Sequence, residues 1–295
     1  MSQSTWVKWL ADRSNIRAVE VQATSLVEEL IQRHKLNDRS AEGLGEACIG
    51  LLLIASAQKP GKGNRLNLSV KGTGYFRQAV VDAYPEGHVR GYIVENDSED
   101  IALMKTEQMG PWGRGTLSVL YTKYEEQSQP YIGSVPLLTG YLDQDLTHYW
   151  IQSAQLPSVV GLHVKVKDGK VLEACGLLVQ TLGPASQEER RDVMRLAQSI
   201  HTVTEEAGQK KNLGELLSKH FNGSAFTKVE NSLVKFQCTC SLEKVENALL
   251  LTGLRELAEM VQENKNVEMK CDFCNTDYVI STERLKALII EDVDQ

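Results

Sequence analysis

Ser40 to Gln58 reads SAEGLGEACIGLLLIASAQ. Its apolar positions Leu44, Ala47, Cys48, Leu51, Leu52, Ile54 and Ala55 cover most of a helical surface, which predicts a central core helix buried on nearly all sides. Before it, Arg17 to Ala23 reads as a short strand. TSLVEELIQRHKL then places Ser25 and Glu28 at capping-box spacing, predicting a helix to about Leu36. After it, beyond a turn at KPGKGN, RLNLSVK alternates Leu66, Leu68 and Val70 with polar neighbours. Further strand-like runs at Tyr75 to Ala83, Arg90 to Val94 and Thr116 to Tyr121 complete a half-buried sheet.

GYLDQDLTHYWIQSAQLPS sets Leu142, Leu146, Tyr149 and Trp150 on one face of a helix that docks on that sheet and stops at Pro157. VVGLHVKVKDGKVLEACGLLVQTL reads as two strands joined at Asp168-Gly169, a dipeptide suited to a tight turn. Strands and helices alternate without a regular βαβ repeat. The fold class is therefore α+β, with an N-terminal mixed sheet-and-helix domain over residues 1–183.

From Pro184 the character changes. The segment 184–231 is helical by pattern, opening on a Ser186/Glu189 capping box and stopping at Asn222-Gly223. Val193, Leu196, Ala197 and Ile200 give only one narrow apolar face, so the segment is expected to bury little and to be marginally stable. It reads either as a solvated helical linker or as a metastable element that unfolds on a signal.

The C-terminal part, 232–295, carries Cys238-x-Cys240 and, about 30 residues on, Cys271-x-x-Cys274. Four thiolates in two close pairs suit a tetrahedral Zn²⁺ site, each pair chelating through a short loop. The stretch NVEMKCDFCNTDYVIS reads as strand, cysteine turn, strand, with Asn275 and Asp277 as turn formers. SLEKVENALLLTGLRELAEMVQEN reads as one amphipathic helix carrying Val245, Leu249, Leu250, Leu254 and Leu257. So small a module has a thin core, and a structural zinc can supply ~10–16 kcal/mol of apparent folding free energy. Four protein ligands leave no position for a catalytic water.

Spacing alone favours inert structural zinc over a redox switch, although zinc-bound thiolates are also the form that peroxide or hypochlorous acid attacks. Residues i and i+2 of a strand lie ~6.6 Å apart at Cα, so joining Cys238 to Cys240 would demand a local bend.

Composition narrows the function classes. The chain has 295 residues and net charge −7, room for two or three compact units and no basic footprint for nucleic acid. Residues 232–295 hold seven lysines and arginines against twelve aspartates and glutamates, net −5, which disfavours a zinc-ribbon nucleic-acid binder. The start, MSQSTWVKWLADRSN, lacks a charged then apolar leader, and the longest apolar run is far short of the ~18 residues of a membrane span. The expectation is a soluble, unexported, cytoplasmic protein without membrane association.

No Gly-rich phosphate loop of the G-x-x-x-x-G-K-[ST] type occurs, and GKGNRLN and GTG lack the strand-to-helix context of a nucleotide site. The six histidines show no paired ligand spacing, so ordinary surface or core roles are expected. Cys48 and Cys175 read as core residues, and Trp112, Tyr149 and Trp150 as packing. A thiol oxidoreductase would place Cys271 and Cys274 beside a thioredoxin-like βαβ unit, which the pattern does not offer. No catalytic residue is assigned, and the protein is not expected to be an enzyme.

At this point the residues resemble a known family, the redox-regulated 33-kDa chaperonins (heat-shock protein 33 family). CTCSLEKVENALLLTGLRELAEM and VEMKCDFCNTDYVI resemble its zinc module. WGRGTLSV, PYIGSVPLLTG, DLTHYWIQSAQLPS, GLLVQTLGPAS, RLNLSVKGTG and HVRGYI resemble its N-terminal domain. Coverage runs from about Arg17 to Tyr278. The sequence departs at Ala154, where the family more often has an acidic residue, and in ENDSEDIALMKTEQMG.

The resemblance implies an ATP-independent holdase, inactive while reduced with one zinc on Cys238, Cys240, Cys271 and Cys274. On oxidation it implies disulfides Cys238–Cys240 and Cys271–Cys274, zinc release, an unfolded linker that exposes surface for unfolding client proteins, and a homodimer. The alternative is a zinc-stabilised interaction protein without a switch.

Overall fold

In the computed structural model, which describes residues 3–58, 64–96, 109–123, 129–183 and 185–293, the opening stretch forms helix α2 (Asp38–Ala55). Asn37 starts it by accepting a hydrogen bond from the Ser40 amide at 2.9 Å, satisfying one of the unpaired N–H groups of a first turn. Fourteen of its eighteen residues are buried because it packs against two sheets at once.

The first sheet is antiparallel, in the order β10 (Phe226–Leu233), β1 (Thr5–Ala11), β2 (Ile16–Gln22), β9 (Lys170–Thr181), β8 (Ser158–Lys167). The second runs β11 (Lys235–Phe236), β5 (His88–Glu95), β4 (Phe76–Ala83), β3 (Arg65–Gly72), β6 (Gly115–Thr122), β7 (Tyr131–Leu137), with only the β11–β5 pair parallel. Helix α3 (Leu142–Ala154) packs on β7 and β6 as expected and also on β8. Trp112, Tyr149 and Trp150 are core residues. At the β8–β9 turn Asp168 and Gly169 take φ of 52° and 73°, and both amides donate to the Asp38 carboxylate at 2.9 Å. Residues 59–63 of the KPGKGN turn, residues 97–108 of the divergent stretch and Pro184 lie outside the described residues, as does the Ala154 side chain.

Two local expectations fail for tertiary reasons. Helix α1 (Thr24–His34) starts one residue before Ser25, and no capping box forms. The Ser25 hydroxyl accepts from the Ser4 amide at 3.1 Å, and the Ser4 hydroxyl in turn accepts from the Leu26 amide at 3.0 Å. A residue more than twenty positions away thus caps the helix.

The second failure concerns the segment from Ser186. It forms α4 (Gln187–Leu196), α5 (Ile200–Gly208) and α6 (Leu213–Ser218), opening on the predicted Ser186/Glu189 capping box and turning at Asn222 and Gly223 with φ of 50° and 76°. It buries far more than a narrow stripe. Val193, Leu196, Ile200, Val203, Ala207, Leu213, Leu217 and Phe221 pack on Val7, Trp9, Ala18, Val159, Cys175, Leu177 and Val179 of the first sheet. A single helical wheel misses this because each short helix turns its own face to the sheet.

The chain divides into Met1–Gln237 and Cys238–Gln295. The first unit reaches six residues beyond the expected boundary at 231, because β10 adds to β1 and β11 to β5. The segment expected as a separate linker therefore ends inside the first sheet. The second unit contains α7 (Leu242–Leu250), α8 (Leu254–Gln262), β12 (Val267–Lys270), β13 (Asp277–Ile280) and α9 (Thr282–Val293). The single helix expected here is broken at Gly253, whose φ of 103° is open to glycine and ends the α7 ladder. No helix among the described residues is long and apolar enough to cross a membrane.

Glu46 on α2 is half-buried, and burial, with Asp143 and Glu42 nearby, pushes its carboxyl from 4.5 up to about 8. A carboxyl with a raised folded pKa stays protonated in the fold while the unfolded chain ionises, so its stability cost is absent below pH 4.5 and grows as pH rises towards about 8. Glu46→Gln is expected to leave the thermal midpoint at pH 4.5 almost unchanged and to raise stability at pH 8.5 by roughly 2 kcal/mol. That is less than the ~1.4 kcal/mol per pH unit of a fully dry site would give. Melting curves at the two pH values check it.

Candidate metal centre

Two backbone devices bring the cysteines together. Cys238 and Cys240 lie in the irregular run before α7, whose first turn is capped by the Ser241 hydroxyl accepting from the Lys244 amide at 3.3 Å. The Lys244 ammonium donates to the Thr239 carbonyl at 2.5 Å and fixes the residue between the two cysteines. Cys271 and Cys274 occupy the turn from β12 to β13. There the Cys271 amide donates to the Thr276 carbonyl at 3.0 Å and the Asn275 amide to the Cys271 carbonyl at 2.8 Å. Asn275 adopts a φ of 63°, a left-handed conformation that asparagine tolerates. This is the strand, turn, strand knuckle read from the sequence.

The four Sγ atoms all lie within 4.8 Å of one another. Cys238 and Cys271 are 3.8 Å apart, and Cys240 and Cys274 3.4 Å. A tetrahedron with ~2.3 Å metal–sulfur bonds has edges of about 3.8 Å, so the cluster could hold a metal ion with small adjustments. All-sulfur donors with this geometry favour Zn²⁺ or an iron–sulfur cluster over hard cations.

Two neighbours were not foreseen from the sequence. The Tyr278 hydroxyl donates to Cys240 Sγ at 3.0 Å, and the Thr276 hydroxyl lies 3.2 Å from Cys274 Sγ. Both follow the knuckle closely in the chain, which is the signal that could have found them. Burial pushes the Cys274 thiol up, but hydrogen bonds from Thr276, Cys240 and Cys271 outweigh it and leave the group at about 7. Burial dominates at Cys271, pushed up to about 12, and raises Cys240. Hydrogen bonding thus favours the thiolate at Cys274 and burial opposes it at Cys240 and Cys271, and a bound cation would offset that burial.

The other two cysteines do not join this cluster. Cys48 and Cys175 are fully buried, and burial pushes both thiols well above the ordinary range. They are core residues, as expected.

Comparison with known proteins adds four findings. A family model described as Hsp33 protein matches residues 4–281. The chain is 33% identical over 280 residues to the 33 kDa chaperonin of Clostridium botulinum, covering 93% of each chain. It is 31% identical over 291 residues to that of Streptococcus agalactiae, covering 97% of this chain and 98% of the relative. Among solved structures, the 33 kDa chaperonin (heat shock protein 33 homolog) of Thermotoga maritima matches with a TM-score of 0.83 at 28% identity, over 100% of both chains.

Proposed function

The chain belongs to the Hsp33 protein family, and from that premise we propose that it is an ATP-independent holdase controlled by the oxidation of Cys238, Cys240, Cys271 and Cys274. The family and its relatives, named 33 kDa chaperonins, support a chaperone function. The observation that carries the redox control is the gathering of four thiols within 4.8 Å in a unit whose own core is thin.

Bound zinc, one per chain in the reduced state, would supply the charge that keeps four sulfurs ionised and the cross-link that the thin core lacks. Cys238, Cys240, Cys271 and Cys274 are its ligands. Oxidation joins Cys238 to Cys240 and Cys271 to Cys274. Each disulfide passes two electrons to the oxidant, reducing peroxide to water or hypochlorous acid to chloride and water. The thiolate donors are then consumed and the 232–295 module loses its fold.

One residue, Gln237, separates Cys238 from β11, a two-residue strand, which comes one residue after β10, an edge strand exposed along most of its length. Fraying along this route reaches the 184–231 segment and loosens it despite the apolar face it buries. Its departure uncovers Val7, Trp9, Val159, Leu177 and Val179 of the first sheet, an apolar face able to hold unfolding client proteins. The active form is a homodimer, and it works in the cytoplasm without nucleic acid or membrane.

The test follows light scattering of a thermally aggregating client with the reduced, zinc-loaded protein and with the same protein after peroxide and mild heat, while released zinc is counted. Suppression by the oxidised, zinc-free form alone is the expected result. Zinc that stays bound, or leaves without gain of holdase activity, would instead make the cluster a structural clamp in an interaction protein. ATP hydrolysis by the pure protein would also contradict the proposal.

A further inference from the structure

Outside the cysteine cluster, one other group of metal-ligating side chains converges among the described residues: His163, Glu173 and Glu205. They come from three elements. His163 lies on β8, Glu173 on β9 and Glu205 on α5, and one ligand atom from each lies within 4.8 Å of the others. The placement follows from the pleat. His163 pairs in register with Cys175 and Gly161 with Leu177, so His163 and Glu173 stand on the face of the sheet that α4 to α6 cover. Helix α5 rests directly on this face, since a Cβ on Gly161 would lie 2.2 Å from Thr204 Oγ1 and 2.7 Å from Ile200 Cγ1. Glu205, next to Thr204, is thereby delivered to the hairpin.

All three residues are half-buried. His163 Nε2 is 2.7 Å from Glu173 Oε2, so the imidazole and this carboxylate already meet. Among the described residues no lysine or arginine forms an ion pair with Glu173 or Glu205, although Lys165 stands opposite Glu173 in the hairpin register. Two carboxylates this close, partly removed from water, repel each other unless a positive charge sits between them. A single imidazole contributes a full charge only when protonated, whereas a divalent ion would satisfy both carboxylates and the ring nitrogen together.

We propose that His163, Glu173 and Glu205 form a second divalent-cation site that ties helix α5 to the β8–β9 hairpin. One imidazole nitrogen and two carboxylate oxygens suit a borderline ion such as Zn²⁺, with water completing the coordination. The ion would bind the closed arrangement only, because Glu205 leaves the site when α5 leaves the sheet. Metal at this site therefore opposes release of the 184–231 segment. At a free-ion concentration about 100 times the site's Kd, opening of α5 falls about 100-fold.

The test uses the full reduced chain and Zn²⁺ itself. Equilibrium dialysis is expected to show one more zinc bound per wild-type chain than per chain of Glu205→Gln or of His163→Gln. That difference stands whether or not the cysteine cluster is filled, so it separates this site from the proposed switch. Near-UV circular dichroism and melting without added metal verify that the variants keep the fold. A second readout needs no variant: proteolysis within Gln187–Ser218 of the wild type should slow as Zn²⁺ is added. Equal zinc binding by wild type and both variants, or cleavage of the wild type that Zn²⁺ does not slow, overturns the proposal.

Discussion

Removing zinc from the reduced protein is expected to unfold the second unit while leaving strands β1–β9 of the first unit folded. The reason is the size of the C-terminal core. Leu249, Leu257, Ile280 and Leu285 form its fully buried centre, and Val245, Leu250, Met260 and Tyr278 are only partly covered. The bidentate pair between Arg284 and Glu246, at 2.8 and 2.9 Å, ties α9 to α7, yet the arginine is 40% exposed and such a pair is worth little.

Against this, a structural zinc in a small module supplies ~10–16 kcal/mol of apparent folding free energy. Amide exchange after chelation should show protection lost through α7, α8, β12, β13 and α9 and retained in β2, β3, β4 and β9. Cys274→Ser should reproduce that pattern without a chelator. Protection that survives in the C-terminal unit would remove metal-dependent folding from the proposed mechanism.

Gly161→Val is expected to give holdase activity to the reduced, zinc-loaded protein. Gly161 sits under helix α5, and its new side chain would start 2.2 Å from Thr204 Oγ1 and 2.7 Å from Ile200 Cγ1. Thr204 has nowhere to go, being fully buried with its hydroxyl bonded to the Ile200 carbonyl at 2.7 Å. Valine suits a strand, so β8 should persist and the helix should yield.

Overpacking of this kind typically costs ~1–3 kcal/mol, and ~2 kcal/mol raises the open population by about 30-fold. The variant should suppress client aggregation before any oxidant is added, with exchange protection lost in 187–218 and kept in β8 and β9. Adding Thr204→Ala to Gly161→Ala should restore part of the closure by removing the nearest atom. A helix shown to be detached in a variant that still holds no client would sink the idea that this sheet face binds clients.

Much of the candidate site was legible because chelation acts over a few residues. Cys238-x-Cys240 and Cys271-x-x-Cys274 announce themselves by spacing, and Asn275 marks the turn that presents the second pair. Tyr278 and Thr276 escaped because their closeness to the second cysteine pair in the chain does not say which sulfur a hydroxyl meets. The fold was legible where local rules act alone: the all-round apolar surface of α2, the Asp168-Gly169 turn and the Ser186/Glu189 capping box. Strand β1 was missed because TWVKWLA buries Trp6, Val7 and Trp9 without alternating, and because one of its two partners, β10, lies more than 200 positions away.

By itself, then, the sequence determined many of the helices and strands, where several of them begin or turn, and which four thiols form one cluster. These follow from backbone dihedrals, side-chain caps and chelate spacing, all of which act within a few residues. Only the tertiary structure decided that α4 to α6 cover the first sheet, that Ser4 caps α1, and that His163, Glu173 and Glu205 meet. Each of those depends on the register of strands far apart in the chain, and register is set by burying a whole sheet face at once.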